Sequence, residues 1–133
     1  MQRKAIRLIT NSHYRADTPP LFESCKILTL AEIHVYKTAL FMFRIHHDIA
    51  PVPFRQMFVR NSQIHNYDTR SKSDFRVPDF RIDTLKLSIR IKGAYIWNFV
   101  NDNVCAFCDF DTFKVGLRNF LMNNEAVLNI IPK

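Results

Sequence analysis

Cys105-Ala-Phe-Cys108 sets two thiols at the spacing used by zinc sites and redox dithiols. Structural zinc needs four ligands, and sites of this type supply a second pair at similar spacing. The one other cysteine is Cys25, and no H-x₃₋₅-H pair follows. A redox dithiol needs a βαβ setting, which the chain's pattern lacks. Cys105 and Cys108 therefore read as buried residues on the approach to a helix. His46 and His47 are adjacent, so on a helix they project about 100° apart and cannot share one metal. His13, His34 and His65 form no motif, and no metal or cofactor is expected. Asp109 and Asp111 could be pictured as paired carboxylates, but capping of the following helix accounts for both. No GxxxxGK[ST], GxGxxG or GxSxG occurs, and a chain with two glycines has little from which to build a phosphate-cradling loop. No Tyr-x-Asp-Asp pair is present to hold polymerase magnesium ions. No residue set points to catalysis, and no small-molecule substrate is expected.

What remains is charge. The net charge is +7 with a pI near 9.6. Residues 1–15 hold Arg3, Lys4, Arg7 and Arg15 with no acid, and residues 70–92 hold Arg70, Lys72, Arg76, Arg81, Lys86, Arg90 and Lys92 against Asp74, Asp79 and Asp83. These two segments account for the whole positive balance. The second follows His65-Asn-Tyr-Asp-Thr-Arg-Ser71, a polar stretch in an otherwise apolar chain. With His65, Tyr67, Phe75 and Phe80 it interleaves rings and cations, the mixture with which proteins stack bases and hold phosphates. Ordinary basic faces carry the same mixture, because Lys and Arg stems cover apolar surface. Composition leaves both readings open.

The positioning elements come from periodicity and punctuation. With 47% hydrophobic residues and twelve Phe among 133 residues, the chain can build the core of one domain. Lys4–Ile9 reads as an amphipathic helix with Ile6 and Ile9 on one face. Asn11–Pro20 reads as a loop, and Leu21–Leu28 as a short helix. Thr29-Leu-Ala-Glu32 has capping-box spacing, and Ile33, Tyr36, Leu40 and Phe43 then predict a helix to about His46. Val35, Ala39 and Met42 add a second stripe, so this helix is expected to be central. Pro53–Arg60 reads as a short helix with Phe54, Met57 and Phe58 inward. Asn61–Asp83 shows no period and reads as a long loop. Leu85, Leu87, Ile89 and Ile91 alternate with Lys86, Ser88, Arg90 and Lys92, which predicts a strand with a basic outer face, interrupted by Gly93. A helical turn begins at Tyr95, Ile96 and Trp97. Phe110, Phe113, Leu117 and Phe120 mark a last helix, with Asp109 or Asp111 at its N-cap. The expected fold is mainly α: a small helical domain with a long polar central loop and at most one short strand or hairpin. Residues 1–60 form a helical half, 61–83 the loop, and 84–133 a strand-turn-helix part. No secretory h-region follows the basic start, and the longest apolar run, Ala39 to Phe43, falls far short of the roughly 18 residues of a membrane span. Three cysteines without a secretory signal suit reduced thiols in the cytoplasm or nucleus.

The succession QRKAIRLITNSHYRADTPPLF, ILTLAEIHVYKTALFMFR, IHNYDTRS, IRIKGAYIWN and DTFKVGLRNFL resembles the C-terminal region of reverse transcriptases of non-LTR retrotransposons, jockey-like and invertebrate. The resemblance covers nearly the whole chain. His65, Tyr67, Thr69 and Arg70 match the family's HxYxTR element, and Gly93, Trp97 and Asn98 its G-P-x-x-W-N element. Ala94 replaces the usual proline, and Cys105 and Cys108 stand where small residues are usual. The family's region follows the catalytic palm and thumb, and Met1 falls inside one of its continuous helices. The resemblance thus implies the tail of an RNA-directed DNA polymerase without fingers, palm or catalytic aspartates. Two roles follow as expectations. In one, the segment contacts RNA or DNA through Arg3, Lys4, Arg7 and the basic residues from Arg70 to Lys92. In the other, it is a helical packing module docked on the thumb or palm with no nucleic-acid contact. Tyr67 and Arg70 are expected to fix the polar loop against the helices, Arg70 by pairing with Asp68 or a helix carboxylate; the sharper alternative for Arg70 is a phosphate contact.

Overall fold

The computed structural model describes residues 1–104 and 109–123, so Cys105 and Cys108 lie outside the described residues. The chain is mainly helical: α1 (Gln2–Ile9), α2 (Pro19–Ser24), α3 (Leu30–His46), α4 (Val52–Arg55), α5 (Ile89–Asn103) and α6 (Phe110–Asn123), with 3₁₀ turns at Asn61–Gln63 and Asp83–Leu87. Among the described residues there is no strand, only one isolated antiparallel bridge between Arg60 and Phe75.

α3 is the axis of the molecule. Its capping box forms as the sequence predicts: Thr29 Oγ1 accepts from the Glu32 N–H, and the Thr29 N–H donates to Glu32 Oε2 at 2.7 Å. Of the two predicted stripes, the second, Val35, Ala39 and Met42, is wholly buried; of the first, Phe43 is buried, Tyr36 and Leu40 are partly covered and Ile33 is exposed. Opposite them stand Ala94, Ile96, Trp97 and Val100 from α5, and Phe113, Leu117 and Leu121 from α6. Phe43 stacks on Phe113 at 4.6 Å between ring centroids and meets Trp97 edge-on at 6.2 Å. Such ring pairs add about 0.5–1.5 kcal/mol each beyond the area they bury.

Gly93 is not the interruption that the alternating pattern suggests; it lies inside α5, packed against Met42 of α3 and Phe58. A Cβ there would sit 2.9 Å from Met42 Sδ and 3.3 Å from Phe58 Cε1. The predicted strand over Leu85–Lys92 is absent for a local reason. Ser88 is extended, its Oγ accepts from the Arg90 N–H, and its carbonyl accepts from Ile91 and Lys92, so it caps α5 in the middle of the alternation. No strand among the described residues lies alongside to pair with, and Leu85 and Leu87 remain exposed. Three smaller expectations also change. Pro19 and Pro20 are not loop residues but the first turn of α2, a position that suits a residue without an N–H. α4 ends at Arg55, leaving Phe54 and Met57 exposed and only Phe58 buried. In α1, Ile6 is buried but Ile9 is not.

α1 and α2 form a small annex around Ile6, Phe22 and Thr18. The Gln2 carboxamide ties it to the head of α3, donating to the Leu28 carbonyl at 3.0 Å and accepting from the Leu30 N–H at 2.8 Å. Arg118 of α6 reaches the Lys26 carbonyl. α1, α2 and α3 all end in the same way. Asn11, Lys26 and Asp48 adopt positive φ (51°, 53° and 57°), and the following N–H groups of Ser12, Ile27 and Ile49 return to Arg7, Phe22 and Arg44. These are Schellman turns built without glycine.

Two substitutions test this packing. Gly93→Ala should lower stability by about 1–3 kcal/mol in urea unfolding, because the methyl group presses on Met42 and Phe58. Lys26→Gly should raise it by roughly 0.5–1 kcal/mol by relieving the left-handed backbone; an unchanged midpoint would contradict strain at that turn.

Candidate nucleic-acid interface

Residues 58–76 leave the core and return to it, and their two ends are fastened together. The Asn61 N–H donates to the Asp74 carbonyl at 3.0 Å and the Arg76 N–H to the Val59 carbonyl at 2.8 Å, flanking the Arg60–Phe75 bridge. Phe75 is the anchor. Its ring is 3% exposed, packed near Phe58 and Trp97, with the Arg60 guanidinium 5.6 Å over its centre. Its backbone is held as well. The Phe75 N–H donates to Asn98 Oδ1 at 3.0 Å, and Asn98 Nδ2 donates to the Phe75 carbonyl at 2.9 Å. One carboxamide thus satisfies both backbone groups, as a neighbouring strand would. Arg60 also donates to the His46 carbonyl at 3.0 Å, one of the open acceptors at the end of α3.

The predicted loop-fixing roles of Tyr67 and Arg70 are overturned. Both are exposed, Tyr67 to 77%, and Asp68 pairs with Lys72 at 3.2 Å rather than with Arg70. Within the motif, Trp97 is a core residue, Gly93 a point of close packing and Asn98 the clamp. His65 is half-buried, and Thr69 is exposed in the tip. Asn98, Phe75 and Arg60 were not singled out from the sequence as a set. A hint existed in Asn98, named through the resemblance but placed after a strand and a helical turn rather than inside the helix Ile89–Asn103.

The candidate cations divide by their partners. Arg70, Arg76, Arg81 and Arg90 are exposed and hold no ion pair among the described residues, as are Arg3 and Lys4 on α1. Lys86 pairs with Asp83 at 2.7 Å and lies over Phe80, and this bond holds the Asp83 carboxyl below its ordinary range. Arg7 is turned inward, its Nε donating to the Ala16 carbonyl at 2.9 Å, and Lys92 is half-buried on α5. Arg70 therefore lies on the loop that Asn98 closes, Arg76 at its return and Arg81 on the irregular stretch that follows, while Arg7 belongs to the fold.

No group of three metal-ligating side chains occurs among the described residues, and none of the described helices is long and apolar enough to cross a membrane. A cleft of about 1000 Å³ opens between α2 and the ends of α3 and α6, and of its two carboxylates, Glu23 and Glu32, the second is already used in the α3 cap. No family model, curated protein or solved structure matches the chain.

Two titrating groups sit at the base of the loop. Burial, then Arg60 and His47, push His46 from 6.5 down to about 4, against an opposing pull from Asp48. Its ring lies 5.1 Å from Trp97. Burial and Asp102 raise Asp74. The unfolded chain protonates His46 near pH 6.5, before the folded one does. Stability from this group is full above that pH and is lost as pH falls toward 4. The loss should be about 1–2 kcal/mol after discounting for solvent screening, with Asp74 opposing it at the acid end. Urea midpoints at pH 7 and pH 4.5 should differ accordingly, and His46→Gln should shrink the difference.

Asn98→Ala should cost about 2–3 kcal/mol, since it leaves two backbone groups of Phe75 without partners. Limited proteolysis should then cut between Ile64 and Ser73 faster than in the parent chain; equal rates would deny the clamp its role.

Proposed function

We propose that this chain is a non-catalytic C-terminal segment of a non-LTR retrotransposon reverse transcriptase that contacts nucleic acid through its basic central loop. The observation that carries the reading is the exposed, unpaired set of Arg70 on a loop whose base is pinned by Asn98, and Arg76 and Arg81 on the irregular stretch that leaves it. Both ends of that arrangement fall in the segments that carry the family resemblance: the His65–Arg70 element supplies the tip, and the Gly93–Asn98 element supplies the support. A polymerase tail needs no chemistry of its own. What it can add is binding free energy and placement, and unpaired guanidinium groups supply both by displacing counterions from phosphates. RNA-directed DNA synthesis would belong to the parent enzyme's palm.

A second reading has its own support. Ile82, Leu85, Leu87 and Ile89 are exposed in succession, and Ile49, Val52 and Phe54 are exposed beyond α3. Such apolar surface suits a packing module that docks on the thumb or palm of the parent polymerase without touching nucleic acid.

Titration against labelled nucleic acid over a range of salt concentrations separates the two. The first reading expects affinity that falls linearly with log salt, with a slope of roughly −0.7 to −0.9 per phosphate neutralised. Replacing Arg70, Arg76 and Arg81 together by Ala should reduce the magnitude of that slope by about 2–3, whereas Lys72→Ala and Lys86→Ala, whose ammonium groups already have carboxylate partners, should change it less. Binding that is absent or indifferent to salt would discard the first reading in favour of the second.

A further inference from the structure

We infer that the nucleic acid held by the two basic segments is single-stranded, its unpaired bases stacking on Tyr67 and Tyr14. The inference rests on the nucleic-acid reading above and names the ligand class within it. The sequence offers four rings in or just before the second basic stretch, and the structure leaves few of them available. Phe75 is committed to the core, and Phe80 is half-buried under the Lys86 ammonium at 5.8 Å. Tyr67 stands out at the tip, 77% exposed, with the His65 ring 6.0 Å away.

The first basic stretch presents a similar group. Tyr14 is 68% exposed, the His13 ring lies 5.6 Å from it, and Arg15 sits 5.4 Å from its centre while donating to its hydroxyl. Of the four tyrosines in the chain, Tyr36 is half-buried in α3 and Tyr95 is 37% exposed on α5. Of the two most exposed tyrosines, Tyr14 thus falls in the first basic segment and Tyr67 three residues before the second, each beside a histidine ring.

Duplex DNA or RNA hides the faces of its bases in the stack, so a projecting phenol ring gains nothing from it beyond edge and backbone contact. An unpaired base offers its whole face, and proteins that bind single strands combine such rings with cations that follow the phosphates. The backbone that carries Arg70, Arg76 and Arg81 is irregular rather than helical. That segment, unlike α1 with its exposed Arg3 and Lys4, therefore offers no cationic helix face of the kind that enters a major groove.

The test measures anisotropy of the full chain with a labelled mixed-sequence DNA strand of about 20 nucleotides and with the same strand annealed to its complement, at matched salt. The single strand should bind at least about tenfold tighter. Tyr67→Ala and Tyr14→Ala should each weaken single-strand binding by roughly fivefold to a hundredfold while leaving duplex affinity and the salt slope unchanged. Tyr67→Phe should retain binding, because the ring and not the hydroxyl carries the contact. Equal affinity for the two forms, a preference for duplex, or tyrosine variants that bind like the parent would overturn the inference and leave the nucleic-acid reading standing. No salt-dependent binding to either form would remove both. Thermal melts of the variants should match the parent, since both rings are exposed.

Discussion

A missing side chain sets the distance between the two central helices. Because Gly93 lacks a Cβ, α5 can lie against Met42 of α3, and Phe58 closes over the same point. The consequences run outward in order. Trp97, one turn along α5, is brought edge-on to Phe43. Asn98 then faces the returning loop, where its carboxamide can reach Phe75. Were the helices farther apart, the ring of Phe75 would lose Trp97 as its wall and the amide would lose its partner. The packing of one glycine and the closure of a distant loop are therefore parts of one arrangement.

The basic loop divides its work between base and tip. At the base, Arg60, Phe75 and Asn98 are buried or bonded, and His46 is kept neutral by its surroundings across the physiological range. At the tip, residues 66–73 are exposed and held mainly by short-range bonds such as Lys72 N–H to Thr69 O. A side chain with no partner in the fold keeps its hydrogen-bonding and stacking capacity for a ligand, and this is what distinguishes Arg70 from Arg7 or Lys86. The annex of α1 and α2 shows the same economy of means. There Gln2 does for Leu28 and Leu30 what Asn98 does for Phe75, each amide acting as donor and acceptor at once.

The legible part of the sequence was the part governed by short-range rules. The Thr29–Glu32 box and the apolar steps from Phe110 to Phe120 are each written within a few turns of one helix, and α3 and α6 appear where expected. The strand over Leu85–Lys92 failed because period two and a helix start share residues. Only the Ser88 cap decides between them, and a serine in a polar-apolar alternation gives no warning. The helix ends after Thr10, Cys25 and His47 were hard to place because the usual marker, glycine, is replaced by Asn11, Lys26 and Asp48. The basic residues could be found by counting, but not sorted. Whether a lysine has a carboxylate beside it, or an arginine a carbonyl, depends on contacts that span the fold. Asn98 and Phe75 are separated by 23 residues, and no periodicity links them.

Closing the loop at Phe75 has a consequence for how such a chain can change over generations. The residues that hold the fold and the exposed residues of the tip form nearly separate sets, joined at the Arg60–Phe75 bridge and the bonds from Asn61 and Ser62 beside it. Lengthening a tethered loop costs little, about 0.6 kcal/mol for each doubling. The tip between Ile64 and Ser73 can thus change in length at little cost, while Gly93, Trp97 and Asn98 stay under the fold's constraint.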